Sequence, residues 1–257
     1  MSRFARYRVR AVRLAAFFLA VAIAPSMAAD GAAAAHLEER PSTIVVGFVG
    51  GFVSHENAEH RPVQLAEQLR RNAPTGAYIK VFENRRRKIA LRTILQLLDH
   101  DHDGKLSDEE KSQARIVLYG HSWGASAALL LARELNRVGV PVLLTVQVDS
   151  VAKLWQRDRI IPRNVMAAAN FYQAHGILRG QSEIAAADPA RTKILGNYRF
   201  DYRKARVECD GVSWYDRFLT PGHAQSECDP LLWGEVEQLV RERLAPEGGT
   251  LAANPGK

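Results

Sequence analysis

The segment 120–124, with the sequence GHSWG, places Ser122 between two glycines where the residue pattern changes. Residues 116–119 before it are apolar and partly β-branched, which predicts a short strand, and residues 125–137 after it are typical of a helix. A serine on such a sharp strand-to-helix turn is held out as a nucleophile, and the flanking glycines avoid collisions between a Cβ and neighbouring backbone. The pattern therefore predicts nucleophilic chemistry at Ser122, with a helix N-terminus that favours developing negative charge.

This G-x-S-x-G segment, in its strand–turn–helix context, resembles the nucleophile elbow of the α/β-hydrolase superfamily. The resemblance covers most of the chain after its N-terminal segment and is to lipase, esterase and thioesterase-like members. It implies an α/β-hydrolase fold, with a mostly parallel sheet and helices on both faces. It also implies a serine hydrolase that cleaves carboxylic esters through an acyl-enzyme intermediate.

The superfamily orders its catalytic groups along the chain as serine, acid and histidine, which leaves His175 and His223 as candidate bases after Ser122. His223 is preferred because it lies in a loop rich in turn residues just before the final predicted helix, where the superfamily carries its base. Asp149 is the preferred acid because it directly follows the apolar strand after the elbow. The superfamily more often places its acid one strand later. Three rivals therefore stay open: Asp188, Asp201 and Asp216.

The same resemblance implies an oxyanion hole built from two backbone N–H donors. One is expected from Trp123, directly after the nucleophile. The other is expected from Gly51 or Phe52, in the glycine-containing loop after the first predicted strand. This loop does not fit the pattern G-x-G-x-x-G, so a dinucleotide-binding site is not expected there.

Residues 99–110, DHDHDGKLSDEE, have the spacing of an EF-hand calcium loop, including the glycine at its sixth position. The expected ligands are the side chains of Asp99, Asp101, Asp103 and Glu110 and the carbonyl of Lys105. We predict one structural Ca²⁺ that braces the elbow strand. A solvated acidic turn is the alternative. Zinc bound through His100 and His102 is less favoured, because alternate positions of such a loop point outward.

Residues 1–28 have the features of a secretory signal peptide: arginines, an apolar run at 14–24, and small residues before a cleavage site after Ala28. An uncleaved anchor is the alternative. The five arginines of this segment, which contains no acid, account for five of the seven net positive charges, so the remainder carries +2. This charge gives no support to nucleic-acid binding. We expect an exported protein, periplasmic or secreted, with a flexible leader at 29–40 and a disordered tail at 246–257.

The two cysteines, Cys209 and Cys228, bracket His223 and are expected to form a disulfide in an exported protein. Two free thiols are the alternative. The basic run at 85–88 opens a predicted helix and is a possible contact with an anionic membrane surface, although a solvated helix end is the simpler interpretation.

The chain from 41 to 245 alternates predicted strands and helices, as in one α/β domain. Strands are expected at 43–49, 77–82, 116–119 and 140–148. Helices are expected at 62–72, 85–98, 125–137 and 231–244. Residues 151–197 are less regular and are interpreted as a possible cap with a helix at 164–176, followed by a possible last strand at 200–207. Because the strands are apolar on both faces, the sheet is expected to be parallel and covered on both sides.

These patterns predict an exported serine hydrolase that acts on small-molecule or lipid esters and is stabilised by one calcium ion. Thioester or peptide cleavage would use the same residues. The alternative from another class is a non-catalytic α/β-hydrolase scaffold that uses calcium to bind a partner.

Overall fold

The structure, a computed structural model, describes residues 41–153, 158–204, 206–209 and 220–244. The predicted signal peptide, leader and C-terminal tail lie outside these ranges, as does the rival acid Asp216. In the described part, no helix is both long enough and apolar enough to span a membrane.

Eight strands and six helices are described, together with a 3₁₀ turn at Asn84–Arg86. The strands are β1 (Thr43–Val49), β2 (Ala77–Glu83), β3 (Ile116–His121), β4 (Val142–Val148), β5 (Ile160–Ile161), β6 (Val165–Gln173), β7 (Ala185–Ala186) and β8 (Lys193–Phe200). The helices are α1 (Arg61–Asn72), α2 (Arg87–Leu98), α3 (Asp108–Ser112), α4 (Trp123–Arg137), α5 (Pro221–Cys228) and α6 (Pro230–Leu244).

The central sheet has six strands in the order β2-β1-β3-β4-β6-β8, and every neighbouring pair is parallel. The short strands β5 and β7 pair with each other in a separate sheet. The elbow strand β3 lies between β1 and β4, at the centre of the fold. Because the carboxyl ends of parallel strands meet at one edge, side chains that follow β1, β3, β4 and β6 are brought together there.

Two apolar layers cover the sheet. Helices α2 and α4 pack on one face, against residues such as Leu118, while α1 and α6 pack on the other, against residues such as Val117. Each fully buried side chain of this kind contributes about 1.5–3 kcal/mol relative to an exposed one. The predicted α/β class, with a parallel sheet covered on both sides, is confirmed.

The predicted helix at 164–176 is wrong: residues Val165–Gln173 form strand β6, paired on one side with β4 and on the other with β8. The helix propensity of its alanines is a weak local effect, and pairing with two neighbouring strands outweighs it. Small side chains also suit a strand that is buried on both faces.

The predicted strand at 200–207 is also misplaced, since β8 runs from Lys193 to Phe200 and ends where the prediction began. β8 is the half-exposed edge strand of the sheet, so its sequence lacks the apolar run that marks an interior strand. Residues 165–173 and 193–197, which the sequence placed in a possible cap region at 151–197, are thus strands of the central sheet.

Candidate active site

Ser122 lies at the corner between β3 and α4 with φ 56° and ψ −126°, in the left-handed region that non-glycine residues rarely adopt. The two glycines beside it are required by close backbone approach. A Cβ on Gly120 would lie 2.5 Å from the carbonyl carbon of Gly124, and a Cβ on Gly124 would overlap the carbonyl oxygen of Phe48. The structure therefore has the sharp strand-to-helix turn that the sequence predicts.

Asp149 follows β4 directly, is fully buried, and also has a positive φ of 42°. Gly180 N donates to its Oδ1 at 2.7 Å, and Gln173 donates from Nε2 to Oδ2 at 3.0 Å and from N to Oδ1 at 3.3 Å. Gly180 accepts no larger residue, because a Cβ there would overlap this same carboxylate. These bonds fix the carboxylate at the edge of the sheet beside the elbow.

The structure brings His223 to Asp149: Nδ1 lies 2.6 Å from Oδ2. The expected loop position of His223 is wrong, because it lies in the first half of α5 and is 8 % exposed. Pro221 and Gly222, interpreted as turn residues, instead begin this helix, where the missing N–H of proline costs nothing.

The other candidates do not meet this pair. His175 Nε2 lies 3.3 Å from Oδ1 of Asp201, which also lies near Arg203. The Asp188 carboxylate accepts a hydrogen bond from a backbone N–H of its own turn and forms an ion pair with Arg191. Of the described acids that the sequence offered, only Asp149 is hydrogen-bonded to His223.

No hydrogen bond joins Ser122 to His223 in the described residues. The His223 ring instead stacks on the ring of His121, the residue before Ser122, with centroids 4.7 Å apart and planes 30° apart. Acid and base are therefore paired while nucleophile and base are not. Unliganded sites often show a long or poorly aligned nucleophile–base contact that tightens when substrate binds.

The loop after β1 is held by Asn84, whose Nδ2 donates to Gly51 O at 2.6 Å and to Val49 O at 3.3 Å. Since the C=O and N–H of a trans peptide point in opposite directions, the Phe52 N–H points away from Asn84. Phe52 is 85 % exposed, and its ring makes a T-shaped contact with the Trp123 ring, with centroids 5.5 Å apart. The predicted oxyanion residues Gly51, Phe52 and Trp123 thus form one cluster at the elbow.

Lys153 links both parts of this cluster. Its Nζ donates to Asn84 Oδ1 at 2.8 Å and lies 4.7 Å from the centroid of the Trp123 ring. A cation over the face of a tryptophan is attracted by the ring quadrupole, by about 0.5–1 kcal/mol at an exposed site. Lys153 and Asn84 therefore tie the loop to the first residue of α4.

A second buried polar network adjoins His223. Glu227 Oε1 lies 2.5 Å from His60 Nδ1, and its Oε2 lies 3.5 Å from His121 Nδ1. His121 Nε2 lies 3.2 Å from Ser226 Oγ, which donates to the His223 carbonyl at 2.7 Å. Burial lowers the pKa of His121 to about 4, even though Glu227 acts in the opposite direction. Burial alone would raise the pKa of Glu227, but His121 and His60 hold it below its ordinary value.

In the loop at 99–110, carboxylate oxygens of Asp99, Asp101 and Asp103 lie within 4.8 Å of one another. Gly104 N donates to Asp99 Oδ2 at 3.0 Å, and Gly104 has a φ of 79°, which gives the loop its sharp turn. Asp99 Oδ1 is buried and has no hydrogen-bond partner in the described part of the chain. Three converging carboxylates with one orphaned oxygen suit a hard cation that prefers oxygen ligands.

Glu110 does not join these oxygens. Its Oε1 accepts from His100 N at 2.7 Å, and its Oε2 accepts from Ser107 N at 2.8 Å, which forms a capping box at the start of α3. These hydrogen bonds, first that from His100, lower the pKa of Glu110 to about 2.

Neither His100 nor His102 belongs to a converging ligand group within the described residues, so the geometry does not favour zinc.

Cys209 and Cys228 form a disulfide with Cα atoms 5.5 Å apart, which confirms the predicted pairing. It anchors the end of α5, the helix that carries His223, and closes a loop of a size worth about 3 kcal/mol in the chain-entropy model.

The basic run at 85–88 is partly used inside the protein. Arg87 forms two hydrogen bonds to Glu134, at 2.9 and 3.0 Å, and Arg86 pairs with Glu83 at 3.1 Å. Less of the run is therefore available to an anionic surface, and contact with a membrane stays a prediction.

Several residues of the site were not found from the sequence. Gln173 and Gly180 lie in the region interpreted as a cap, and Glu227 and His60 are far apart in the chain. One signal was available: Gln173 ends a run of apolar residues, as Asp149 does, and polar residues at strand ends gather at the sheet edge.

No protein-family model and no curated protein sequence matches the chain. Among solved structures, it is similar to a dienelactone hydrolase from Anabaena variabilis ATCC 29413, with 14% identity and a TM-score of 0.40 over 79% of this chain and 86% of that one. A thermostable esterase from Pseudomonas putida ECU1011 has 11% identity and a TM-score of 0.43, over 80% and 75%. An acetyl xylan esterase has 11% identity and a TM-score of 0.37, over 80% and 99%. Likenesses this weak assign no activity to this chain.

Proposed function

We propose that the protein is a serine hydrolase that cleaves carboxylic esters, with Ser122 as nucleophile, His223 as general base and Asp149 as the acid that orients it. The observation that carries the proposal is the strained serine corner next to a buried Asp149–His223 pair, with an Nδ1–Oδ2 distance of 2.6 Å. A serine that only packed in a core would need neither a positive φ nor two glycines in close backbone contact.

The reaction follows from the roles of these groups. His223 accepts the Ser122 proton as the serine oxygen attacks the ester carbonyl, and the backbone N–H groups of Trp123 and of Gly51 or Phe52 stabilise the oxyanion. The protonated His223 then donates its proton to the leaving alcohol, which leaves an acyl-enzyme. Water deprotonated by His223 attacks the acyl group, and the proton returns to Ser122 as the acid product departs.

The missing Ser122–His223 hydrogen bond is compatible with this chemistry. A rotation about the Cα–Cβ bond of serine moves its oxygen without moving the backbone. The stacked position of His223 against His121 keeps the imidazole beside the nucleophile corner. The exposed Phe52 ring and the Trp123 ring provide an apolar entrance, which suits small-molecule esters.

We also propose that residues 99–110 bind one structural Ca²⁺. The side chains of Asp99, Asp101 and Asp103 and the Lys105 carbonyl would hold the ion, and Glu110 would have to leave its capping position to join them. The ion would neutralise mutual repulsion among the carboxylates of the loop between α2 and α3. Export to an oxidising compartment is proposed on two grounds: the composition of residues 1–28 and the disulfide.

Covalent labelling tests the hydrolase proposal. A fluorophosphonate is expected to modify the purified protein once, at Ser122, as mapped by mass spectrometry of peptides, and to abolish hydrolysis of a panel of p-nitrophenyl esters in parallel. Heat-denatured protein is the control, because it keeps the serine but loses the activating base. An unlabelled Ser122 in folded protein that hydrolyses none of the esters would favour the second candidate, a non-catalytic calcium-binding scaffold.

Calcium removal gives a separate prediction. If the site is saturated at about 100 times its Kd, binding stabilises the fold by about 2.7 kcal/mol, so excess chelator is expected to lower the Tm by ~5–10 °C. Asp101→Asn keeps an acceptor for the backbone but removes a ligand charge, and should make the melt insensitive to calcium. Asp108→Asn, an exposed acid of the next helix, is the matched control and should behave as wild type. A wild-type melt unchanged by chelator would contradict the calcium proposal.

A further inference from the structure

The stacking of His223 on His121 brings a second histidine to the site that the proposed reaction does not use. His121 is 2 % exposed and lies at the end of β3, directly before Ser122. A positive charge on His121 would repel the imidazolium that forms on His223 when Ser122 loses its proton. A neutral His121 with a fixed ring orientation therefore favours the proposed reaction.

Glu227 and His60 surround His121 from the other side. Glu227 lies on α5, one turn after His223, and its two oxygens meet His121 and His60 at 3.5 and 2.5 Å. His60 is the residue before α1, so the carboxylate joins two elements that are distant in the chain. The side chains of Glu227 and His60 are 13 % and 14 % exposed, so little water screens this pair.

We propose that Glu227 is a positioning residue for the reaction: held by His60, it orients the neutral His121 ring on which His223 stacks, and it supplies a second negative charge that stabilises protonated His223. This inference rests on the proposed hydrolase function. Glu227 acts through His121 and through space, while Asp149 acts by direct contact at 2.6 Å. The arrangement gives two carboxylates for one catalytic imidazole.

The titratable groups that surround the His223–His121 pair come from four elements. Asp149 follows β4, His121 ends β3, Glu227 lies on its own helix, and His60 precedes α1. Arg61 is directed to the Cys228 carbonyl at 3.0 Å. The ligand atoms of His60, His121 and Glu227 do not form a converging metal group among the described residues. An acid–base network is therefore the better interpretation of this cluster.

Glu227→Gln tests the proposal, because it removes the charge and keeps the shape. Loss of a negative charge favours neutral histidine, so the acid limb of the kcat/KM profile for p-nitrophenyl acetate is expected to move to lower pH by about 0.5–1 pH unit. The plateau falls by about threefold to tenfold, because the imidazolium in the transition state is less stabilised. A purely structural role would lower activity without this shift.

The His223 titration is measured by NMR in a Ser122→Ala background, so it reports on the network even if no ester is hydrolysed. Glu235→Gln, an exposed acid of α6, is the matched control and should change neither the titration nor the profile. If Glu227→Gln does not fold, Glu227→Asp is the second variant: it keeps the charge but shortens the side chain that reaches His121 and His60, so a smaller shift in the same direction is expected. A His223 titration that stays at the same pH or moves to higher pH when Glu227 is replaced overturns the proposal.

Discussion

Ser122→Ala is expected to lower kcat for ester hydrolysis by about 10⁵–10⁶, because the proposed nucleophile is lost. The change removes the attacking oxygen and keeps the backbone, since alanine meets the same strain at φ 56° as serine does. The remaining N–H donors still polarise a bound carbonyl, so a residual acceleration of about 10³ over water is compatible with the mechanism.

Steady-state kinetics with the best ester of the panel measures this loss, and thermal melts of both proteins are the control for folding. The free energies of unfolding of the two proteins should agree within about 1 kcal/mol, because the substitution is small and the Ser122 side chain makes no hydrogen bond in the described structure. A variant that keeps more than about 1 % of the activity would show that another group is the nucleophile.

Asp149→Asn is expected to lower kcat by about 10⁴, because an amide does not fix the His223 tautomer that leaves Nε2 free to accept a proton. It should also destabilise the fold. Both carboxylate oxygens accept hydrogen bonds, from Gly180 N and the Gln173 amides as well as from His223. The new NH₂ group would face donors on either side, which costs about 1–3 kcal/mol.

The matched control is Asp201→Asn, an acid that the sequence left open and that pairs with His175 at 3.3 Å. It is expected to keep wild-type kcat, while Asp149→Asn combines the loss of activity with a Tm lower by ~2–10 °C. The opposite pattern, with activity lost in Asp201→Asn and kept in Asp149→Asn, would show that the catalytic acid is Asp201, which follows β8, and not Asp149.

The features predicted well from sequence are those encoded within a few consecutive residues. The glycines around Ser122 and the β-branched run before it act on their immediate neighbours, so the corner could be predicted without knowledge of the rest of the fold. Asp149 was also accessible, because a polar residue directly after an apolar run marks the end of a buried strand.

The features that were missed depend on contacts between distant segments. The alanines of β6 favour a helix in the sequence. The segment is a strand because it pairs with β4 on one side and with β8 on the other. The contact between Glu227 and His60 joins residues 167 positions apart. No local pattern marks such a pair, because its spacing is set by how α5 packs against the start of α1. The same dependence explains why the position of His223 within a helix was not predicted.

The capping box of α3 has a consequence for how tightly the acidic loop would hold the ion that we propose. Glu110 caps the first turn of the helix and would have to give up that cap to join the cation, and loss of a helix cap costs about 1 kcal/mol. A free energy of that size weakens affinity by about fivefold. Occupancy of the loop should therefore follow the calcium level of the surroundings more closely than in a loop whose twelfth residue has no competing task, and local fraying of α3 should report each exchange.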